Sequence, residues 1–372
     1  MKIFSKRKRR KAVFYMVGFI AVLWTAAFGI TLPEAAFLIP LLPALGMLYS
    51  DVSPRTNGYA DRKFLERAAE NNILAQFGQT RPVPKNKTQV IMFRRYNRLD
   101  STPVVLQEGV TPTGKTATKT DVSATVKQLG DWVQITDVIE DTHEDPVLNE
   151  MVDLLGEQAP EMYDKLFAGV LKAGTNVIYT NGAGRNAVNT AVVAGTLDKA
   201  MRTLERQSAI RLSSLVKAGP NIGTVPIPPA FVVVCHSDFR KDLEAISGWT
   251  AVHKYPNQGD LIDGEAGSIG HFRVVFDNNL TSWIDAGGAA GAMESTGATY
   301  ADVYPLLVFA KNAYGIVPLG GKKSVQTYVN NPKAITGDEL AQRGSVGWKG
   351  WTQAVILQDL WMVRIESAVT KL

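Results

Sequence analysis

The stretch DWVQITDVIEDTHEDPVLNEMVDLLGEQAPEMYDKLFAGVLKAG, residues 131–174, predicts a strand that leads into a long helix. Asp145 can accept a free backbone N–H as the N-cap, and Pro146 suits the first helical position because it has no N–H. Apolar residues then recur at steps of three and four and so share one face: Val147, Met151, Leu154, Leu155, Met162, Leu166, Val170 and Leu171. Gly174 ends the pattern. A helix over residues 145–173 would be roughly 40 Å long, so we expect a scaffold element.

Pro160 lies inside this predicted helix. Because proline has no N–H, it removes one helical hydrogen bond, and its ring crowds the carbonyl four residues earlier. We therefore expect a kink in the helix near Gly156.

The composition predicts a large folded protein with two or more structural units, since 372 residues are 45% hydrophobic and only 20% charged. The formal charge of +5 is concentrated at one end, because residues 1–11 hold seven Lys or Arg and no acid. The remainder has 33 basic and 35 acidic residues, a net charge of −2. This body has no basic surface of the kind that duplex binding requires.

Residues 1–46 form a basic and hydrophobic, membrane-like extension. Residues 12–32 contain no charge and have the length and flanks of a membrane span or signal anchor. Ordinary soluble sequence follows at once after Met47. Three interpretations stay open: a true start at Met47, a removable or scaffolding-like extension, and a working membrane anchor.

The next part of the chain predicts an arm and a projecting hairpin. Residues 51–85 suggest an extended arm around a short helix, Arg62 to Gln76. Thr88 to Leu99 and Trp132 to Val138 are typical of strands, and the segment from Asp100 to Gly130 is polar. Two strands joined by a segment that cannot bury much surface predict a hairpin that projects from the body.

After the long helix, the pattern predicts a second helix from Thr196 to Val216 and a buried strand, FVVVC, from Phe231 to Cys235. We expect Ser237 or Asp238 to cap a short helix that ends at Ile246. Further strands are predicted from the apolar runs at residues 272–276, 306–311, 314–318 and, as one or two strands, 351–369. Strands and helices mix without regular alternation, which favours the α+β class.

GVTPTGKT, residues 109–116, matches the phosphate-loop pattern. Such a loop needs a helix N-terminus directly behind it, so that backbone N–H groups and the lysine, here Lys115, meet a phosphate. The sequel ATKTDVSATVKQL does not have the apolar spacing of that helix, and Pro112 removes one donor. We therefore interpret the match as part of a hairpin tip.

The other candidate sites are weaker. Cys235 and His236 are adjacent, but successive strand residues point to opposite faces, so a buried structural thiol is expected instead of a dyad. The acidic run at residues 140–145 precedes a helix, where acids favour the N-terminus, so it predicts capping and not a metal site. GEAGSIG at residues 264–270 precedes a strand instead of following one, unlike a dinucleotide loop. We predict no enzyme activity and no catalytic, cofactor-binding or metal-binding residues.

Seven segments together resemble the major capsid proteins of tailed bacteriophages, in a podovirus-type branch. They extend from residue 50 towards the end of the sequence: SDVSPRT (50–56), FGQTRPVPKNKTQVIMFRRYNRL (77–99), EGVTPTG (108–114), DVSATVKQLGDWVQITDVIEDTHEDPVL (121–148), VLKAGTNVIYTNG (170–182), DVYPLLVFAKNAYGIVPL (302–319) and QRGSVGWKGWTQAVILQDLWMVRIE (342–366).

This resemblance implies the tailed-phage capsid fold. Its parts would be assigned as follows: an N-terminal arm at residues 47–85, an extended loop at 86–138, a peripheral domain at 139–194 and 346–372 with a spine helix at 145–173, and an axial domain at 195–345. The phosphate-loop match would then lie in the extended loop, as an intersubunit contact. Members of this family do not begin with a basic, membrane-like segment, which favours Met47 as the start.

The resemblance also implies the function. The chain would self-assemble through pentamers and hexamers into an icosahedral shell in the host cytoplasm and enclose double-stranded DNA without sequence-specific binding. Portal and scaffolding or decoration proteins would be partners, and a membrane only if residues 12–32 are retained. The alternatives are a nanocompartment shell of the same fold and a membrane-anchored protein that uses residues 12–32.

Overall fold

The computed structural model describes residues 72–84, 86–138, 147–214, 227–255, 261–320, 325–332 and 339–372. All of them belong to one of two structural units, Pro54–Leu372. The predicted membrane-like segment, the arm helix from Arg62 to Gln76, the cap at Asp145 and the acidic run at 140–145 lie outside or almost wholly outside these ranges. No helix within the described ranges is long and apolar enough to cross a membrane.

Three α-helices and fifteen strands lie in the described part of the chain. The helices are α1 (Val147–Leu171), α2 (Ala194–Arg206) and α3 (Arg240–Glu244). The strands are β1 (Gln79–Thr80), β2 (Val90–Tyr96), β3 (Lys119–Thr125), β4 (Lys127–Thr136), β5 (Val177–Tyr179), β6 (Phe231–Cys235), β7 (Trp249–Ala251), β8 (Glu265–Ile269), β9 (Phe272–Phe276), β10 (Tyr304–Phe309), β11 (Tyr314–Ile316), β12 (Val325–Asn330), β13 (Arg343–Thr352), β14 (Ala354–Ile356) and β15 (Met362–Ser367).

Helix α1 is the predicted long helix, but its buried face is rotated from the predicted one. Its buried hydrophobic residues include Val152, Leu155, Ala159, Tyr163, Phe167, Ala168 and Leu171. Leu154, which was placed on the apolar face, is 54% exposed. The prediction considered large aliphatic residues alone and so missed the two aromatic and two alanine positions that lie at steps of three and four along this face.

The helix continues through Pro160 without a break. Proline in this position leaves the Gly156 carbonyl without its usual helical donor. The kink near Gly156 stays a prediction.

A seven-stranded sheet lies beside α1, in the order β5-β15-β10-β6-β9-β8-β7. Its central strands are buried on both faces, and alternate residues point to opposite sides. Val232, Val234 and Phe309 join the hydrophobic cluster of α1. Phe231, Val233 and Leu306 join a second cluster, with α2 and α3. The sheet therefore lies between the long helix and the two shorter helices.

A three-stranded sheet, in the order β12-β13-β4, packs against α1 with one face. Every second residue of β13 is buried, which is the pattern of a sheet covered on one side. Val346 and Trp348 contribute these side chains, and Ile135 of β4 lies in the same cluster. Helix α1 thus shares one hydrophobic core with both sheets.

The hairpin prediction was wrong about which strands pair. β2 pairs with β3. β3 lies in the segment from Asp100 to Gly130, which was predicted to be a polar connection between the two strands. β4, which contains the predicted strand from Trp132, pairs instead with β13, more than two hundred residues later in the chain. The error arose because β3 consists mainly of small and polar residues, so its apolar alternation is weak.

The base of this hairpin is fixed to the body by a small hydrophobic cluster. Phe93 and Ala124 are buried together with Val83 and Val317. The Val83 N–H donates to the Pro318 carbonyl at 2.9 Å. This bond lies next to the third sheet, which is three-stranded and has the order β1-β11-β14.

Helix α2 ends at Arg206, so the predicted helix from Thr196 to Val216 was too long. Ser208 has a positive φ of 51°. Beyond Ser208, the Leu212 N–H donates to the Ala230 carbonyl instead of to a carbonyl of a continuing helix. The buried strand from Phe231 to Cys235 is confirmed.

The short helix after β6 is capped by a different residue from the predicted Ser237 or Asp238. His236 Nδ1 accepts the Asp238 N–H at 3.3 Å, and a 3-10 turn then leads into α3. Histidine is an uncommon cap, so the preference for Ser and Asp in this position misled the prediction.

The seven-stranded sheet contains strands from both the predicted peripheral domain and the predicted axial domain. β5 and β15 fall in 139–194 and 346–372, and the other five strands fall in 195–345. The domain boundaries stay a prediction.

The shared core around α1 predicts a strong effect of Phe167→Ala. Phe167 is 1% exposed, so the substitution removes buried apolar surface and leaves a cavity. We expect a loss of about 3–5 kcal/mol in the free energy of unfolding, measured by urea denaturation. Leu154→Ala on the exposed side of the same helix is the control and should cost about 0.5 kcal/mol or less. Equal losses in the two variants would contradict this packing.

Candidate assembly surface

The segment between β2 and β3, residues 97–118, is exposed along its whole length. It nevertheless contains large apolar side chains: Leu99, Val104, Val105, Leu106 and Val110. Val105 has 88% of its surface exposed. A group of exposed apolar residues in one segment is typical of an interaction surface. We call residues 99–110 the apolar loop.

Lys115, the lysine of the phosphate-loop match, is bonded within the same segment. Its Nζ donates to the carbonyl oxygens of Asp100 at 2.5 Å and Thr102 at 3.0 Å. The element that follows is strand β3 and not a helix. A phosphate would therefore meet neither a helix N-terminus nor a free lysine, and the segment does not have the geometry of a nucleotide site.

A second exposed surface is the outer face of the three-stranded sheet. Trp132, Gly347 and Tyr328 are direct neighbours across β4, β13 and β12. Trp132 is 63% exposed, and Lys349 Nζ lies 5.2 Å from the centre of the Tyr328 ring. A Cβ atom added at Gly347 would lie 2.8 Å from the Cβ atom of Trp132. Glycine at this position therefore allows β13 to approach Trp132 of β4 closely.

Sequence reasoning missed this surface. The available signal was the sequence RGSVGWKGWT of β13, in which one face of the strand carries Val346 and Trp348 and the other carries Ser345, Gly347 and Lys349 before Trp351. Such alternation predicts a sheet with one open face.

The adjacent Cys235 and His236 do not form a catalytic dyad. Cys235 is fully buried in β6, and burial raises the pKa of its thiol, which keeps it protonated and unreactive. His236 Nδ1 is engaged with Asp238 in the cap after the strand. The Gly-rich stretch from Gly264 contains strand β8, which pairs with β9 in an antiparallel ladder.

Within the described residues, no group of three or more His, Cys, Asp or Glu side chains is placed to hold a metal ion. The acidic run at 140–145 lies outside those residues.

A buried ionic network fixes the end of α1 to the seven-stranded sheet. Glu366 of β15 accepts two hydrogen bonds from Arg185, at 2.7 and 2.8 Å, and one from Arg364, at 2.9 Å. Arg364 also donates to the carbonyls of Lys172 and Gly174, directly after the last residues of α1. The hydrogen bonds from Arg185 to Glu366 raise the pKa of that guanidinium. The network therefore satisfies backbone carbonyls that the end of a helix leaves free.

Comparison with known proteins links the chain to phage capsid proteins. A family model described as phage capsid protein matches residues 119–365. The major capsid protein of Pseudomonas phage KPP21 is 23% identical over 222 residues, which cover 55% of this chain and 56% of that protein. The chain thus spans little more than half the length of this relative.

Solved structures give the same result for the fold. The capsid of Ralstonia phage GP4 matches with a TM-score of 0.60 at 13% identity, over 79% of this chain and 88% of that one. The head structure of Helicobacter pylori bacteriophage KHP40 matches with a TM-score of 0.55 at 14% identity, over 81% and 91%. The expected α+β fold of tailed-phage capsids is confirmed.

The ionic network predicts that Glu366→Gln destabilises the protein. The carboxylate is fully buried, and its loss leaves two guanidinium groups without their counter-charge. We expect a loss of about 3–5 kcal/mol in the free energy of unfolding, measured by urea denaturation. Glu205→Gln, which breaks the more exposed pair with Arg211, should cost at most about 1 kcal/mol. A Glu366→Gln variant as stable as this control would contradict the role of the network.

Proposed function

Because the chain belongs to the phage capsid protein family, we propose that it is a structural subunit that self-assembles through pentamers and hexamers into an icosahedral shell around packaged double-stranded DNA. The observation that carries this proposal is the apolar loop, residues 99–110, because side chains such as Val105 and Leu106 are exposed in the isolated subunit. Contact with a second copy would remove them from water.

The subunit acts as a wall component and not as an enzyme. The described residues that could suggest catalysis have structural roles: Lys115 bonds to backbone carbonyls of its own loop, and Cys235 is a buried thiol. The net charge of −2 outside residues 1–11 suits a wall that contains DNA without sequence-specific binding.

In this proposal the parts of the chain take the roles that the family resemblance implies. The arm is residues 47–85, and the extended loop, residues 86–138, includes the apolar loop. The peripheral domain is 139–194 with 346–372, including α1 as its spine, and the axial domain is 195–345. Portal and scaffolding or decoration proteins are the further partners, and the shell is built in the host cytoplasm and becomes part of the virion.

Residues 47–372, expressed alone, should form shells or capsomers visible by negative-stain electron microscopy. The reason is that the contacts between copies are made by the subunit itself. A protein that stays monomeric at high concentration would contradict the proposal. Shells purified from the native source should contain DNA, and a protein cargo in its place would favour the nanocompartment alternative.

The apolar loop should be required for assembly but not for folding. Val105→Asp combined with Leu106→Asp places two charges where apolar side chains would be buried between copies, so we expect assembly to be lost. The unfolding midpoint should stay unchanged, because both residues are exposed in the subunit. Thr113→Asp, an exposed polar position between the same two strands, is the control and should still assemble. Shells formed normally by the double variant, measured by sedimentation, would exclude the loop as a contact.

A further inference from the structure

Residues 73–77, in front of β1, are held on α1 by a buried carboxylate. Asp164 of α1 is 0% exposed, and its two oxygens accept the backbone N–H groups of Ile73 at 2.9 Å and Leu74 at 3.2 Å. The Tyr314 hydroxyl donates to the Leu74 carbonyl at 2.5 Å. The Leu74 and Phe77 side chains are buried in the core around α1. We call this contact the clasp.

A second buried carboxylate lies beside the first. Asp277, after β9, is 1% exposed. Its Oδ1 accepts the Asn279 N–H at 2.8 Å, and its Oδ2 has no hydrogen-bond partner within the described residues. The Asn279 side chain also lies near Asp164 and lowers the pKa of that acid, so one residue lies next to both acids. Two carboxylates in one buried site cannot both be ionised without a large cost, so one of them retains a proton.

The other charged and titratable groups around the pair come from three places in the fold. Directly after α1, Lys172 lies eight residues beyond Asp164 and faces Asp277. The Tyr314 phenol of β11 faces Asp164, and Asp277 also faces His236 and the Cys235 thiol at the end of β6. Burial raises the pKa of Asp277, although the Asn279 N–H, His236 and Lys172 act in the opposite direction. Asp277 is thus the acid with basic neighbours, so we assign the retained proton to Asp164.

We propose that the clasp is a pH-sensitive contact: detachment of residues 73–77 from α1 opens Asp164 to water and releases its proton, so the segment detaches more readily as the pH rises. This inference concerns the subunit alone and does not depend on the proposed function.

The direction of this pH dependence follows from the pKa of Asp164 in the docked and the detached state. In the docked state, burial and then the charge of Asp277 raise its pKa to about 7, although the N–H bonds from Ile73 and Leu74 act in the opposite direction. In the detached state the group faces water, and its pKa returns to the ordinary carboxyl value of about 3.9. The docked state therefore binds the proton more tightly. The extra stability that this proton gives the docked state is complete below the pKa of an exposed carboxyl. It is lost as the pH rises through about 7.

Hydrogen exchange of the backbone amides of residues 73–77 in the full chain tests this directly. After correction for the intrinsic exchange rate, the opening equilibrium should increase about tenfold per pH unit between about pH 4.5 and 6.5 and level off above about pH 7. Asp164→Asn carries no titrating proton, and its amide oxygen can still accept one N–H. In this variant the opening equilibrium should not change with pH.

Two further variants separate the clasp from general effects of pH. Glu161→Gln alters another acid of α1, which pairs with Lys165 at the surface, and should keep the pH dependence of the unaltered chain. Asp277→Asn retains Asp164 but removes its charged neighbour, so opening should level off at a lower pH. The Asp277→Asn variant provides the test if Asp164→Asn does not fold. Opening that is independent of pH in the unaltered chain, or an unchanged pH profile in either Asp variant, would overturn the proposal.

Discussion

The burial of one face of α1 between two sheets is the constraint on which the remaining structure depends. Tyr163 and Phe167 contact the same hydrophobic cluster as Trp348 of the three-stranded sheet and Phe309 of the seven-stranded sheet. Tyr163 and Trp348 meet edge to face, with ring centres 5.6 Å apart, an arrangement that aromatic pairs favour. Neither sheet is covered on this side by another long helix within the described residues, so both depend on the position of α1.

Polar contacts then fix α1 along its length. Gln158 donates to Asp131 at 2.7 Å and accepts from the Trp348 indole at 3.2 Å, which binds the middle of the helix to the three-stranded sheet. Arg364 binds the carbonyls at its end. Trp348 and Arg364 are buried, so the loss of their partners leaves buried groups unsatisfied. The helix position is therefore specified more sharply than apolar packing alone would allow.

The sequence predicted those elements whose apolar pattern is strong and local. The long helix, the strand FVVVC and the absence of a helix after GVTPTGKT followed from spacing within a few residues. The pairing of β4 with β13 could not be predicted from spacing, because register between distant strands is set by the core they share. The network of Arg185, Arg364 and Glu366 was missed for the same reason: its members are brought together by the fold.

The position of β15 in the seven-stranded sheet has a consequence for synthesis. β15 lies between β5 and β10, so the sheet is incomplete until residues 362–367 have left the ribosome. A nascent chain that stops earlier leaves β10 as an open apolar edge, and such an edge pairs readily with other chains. Unfinished chains would therefore depend on chaperones or be degraded, and only complete subunits would reach the native fold.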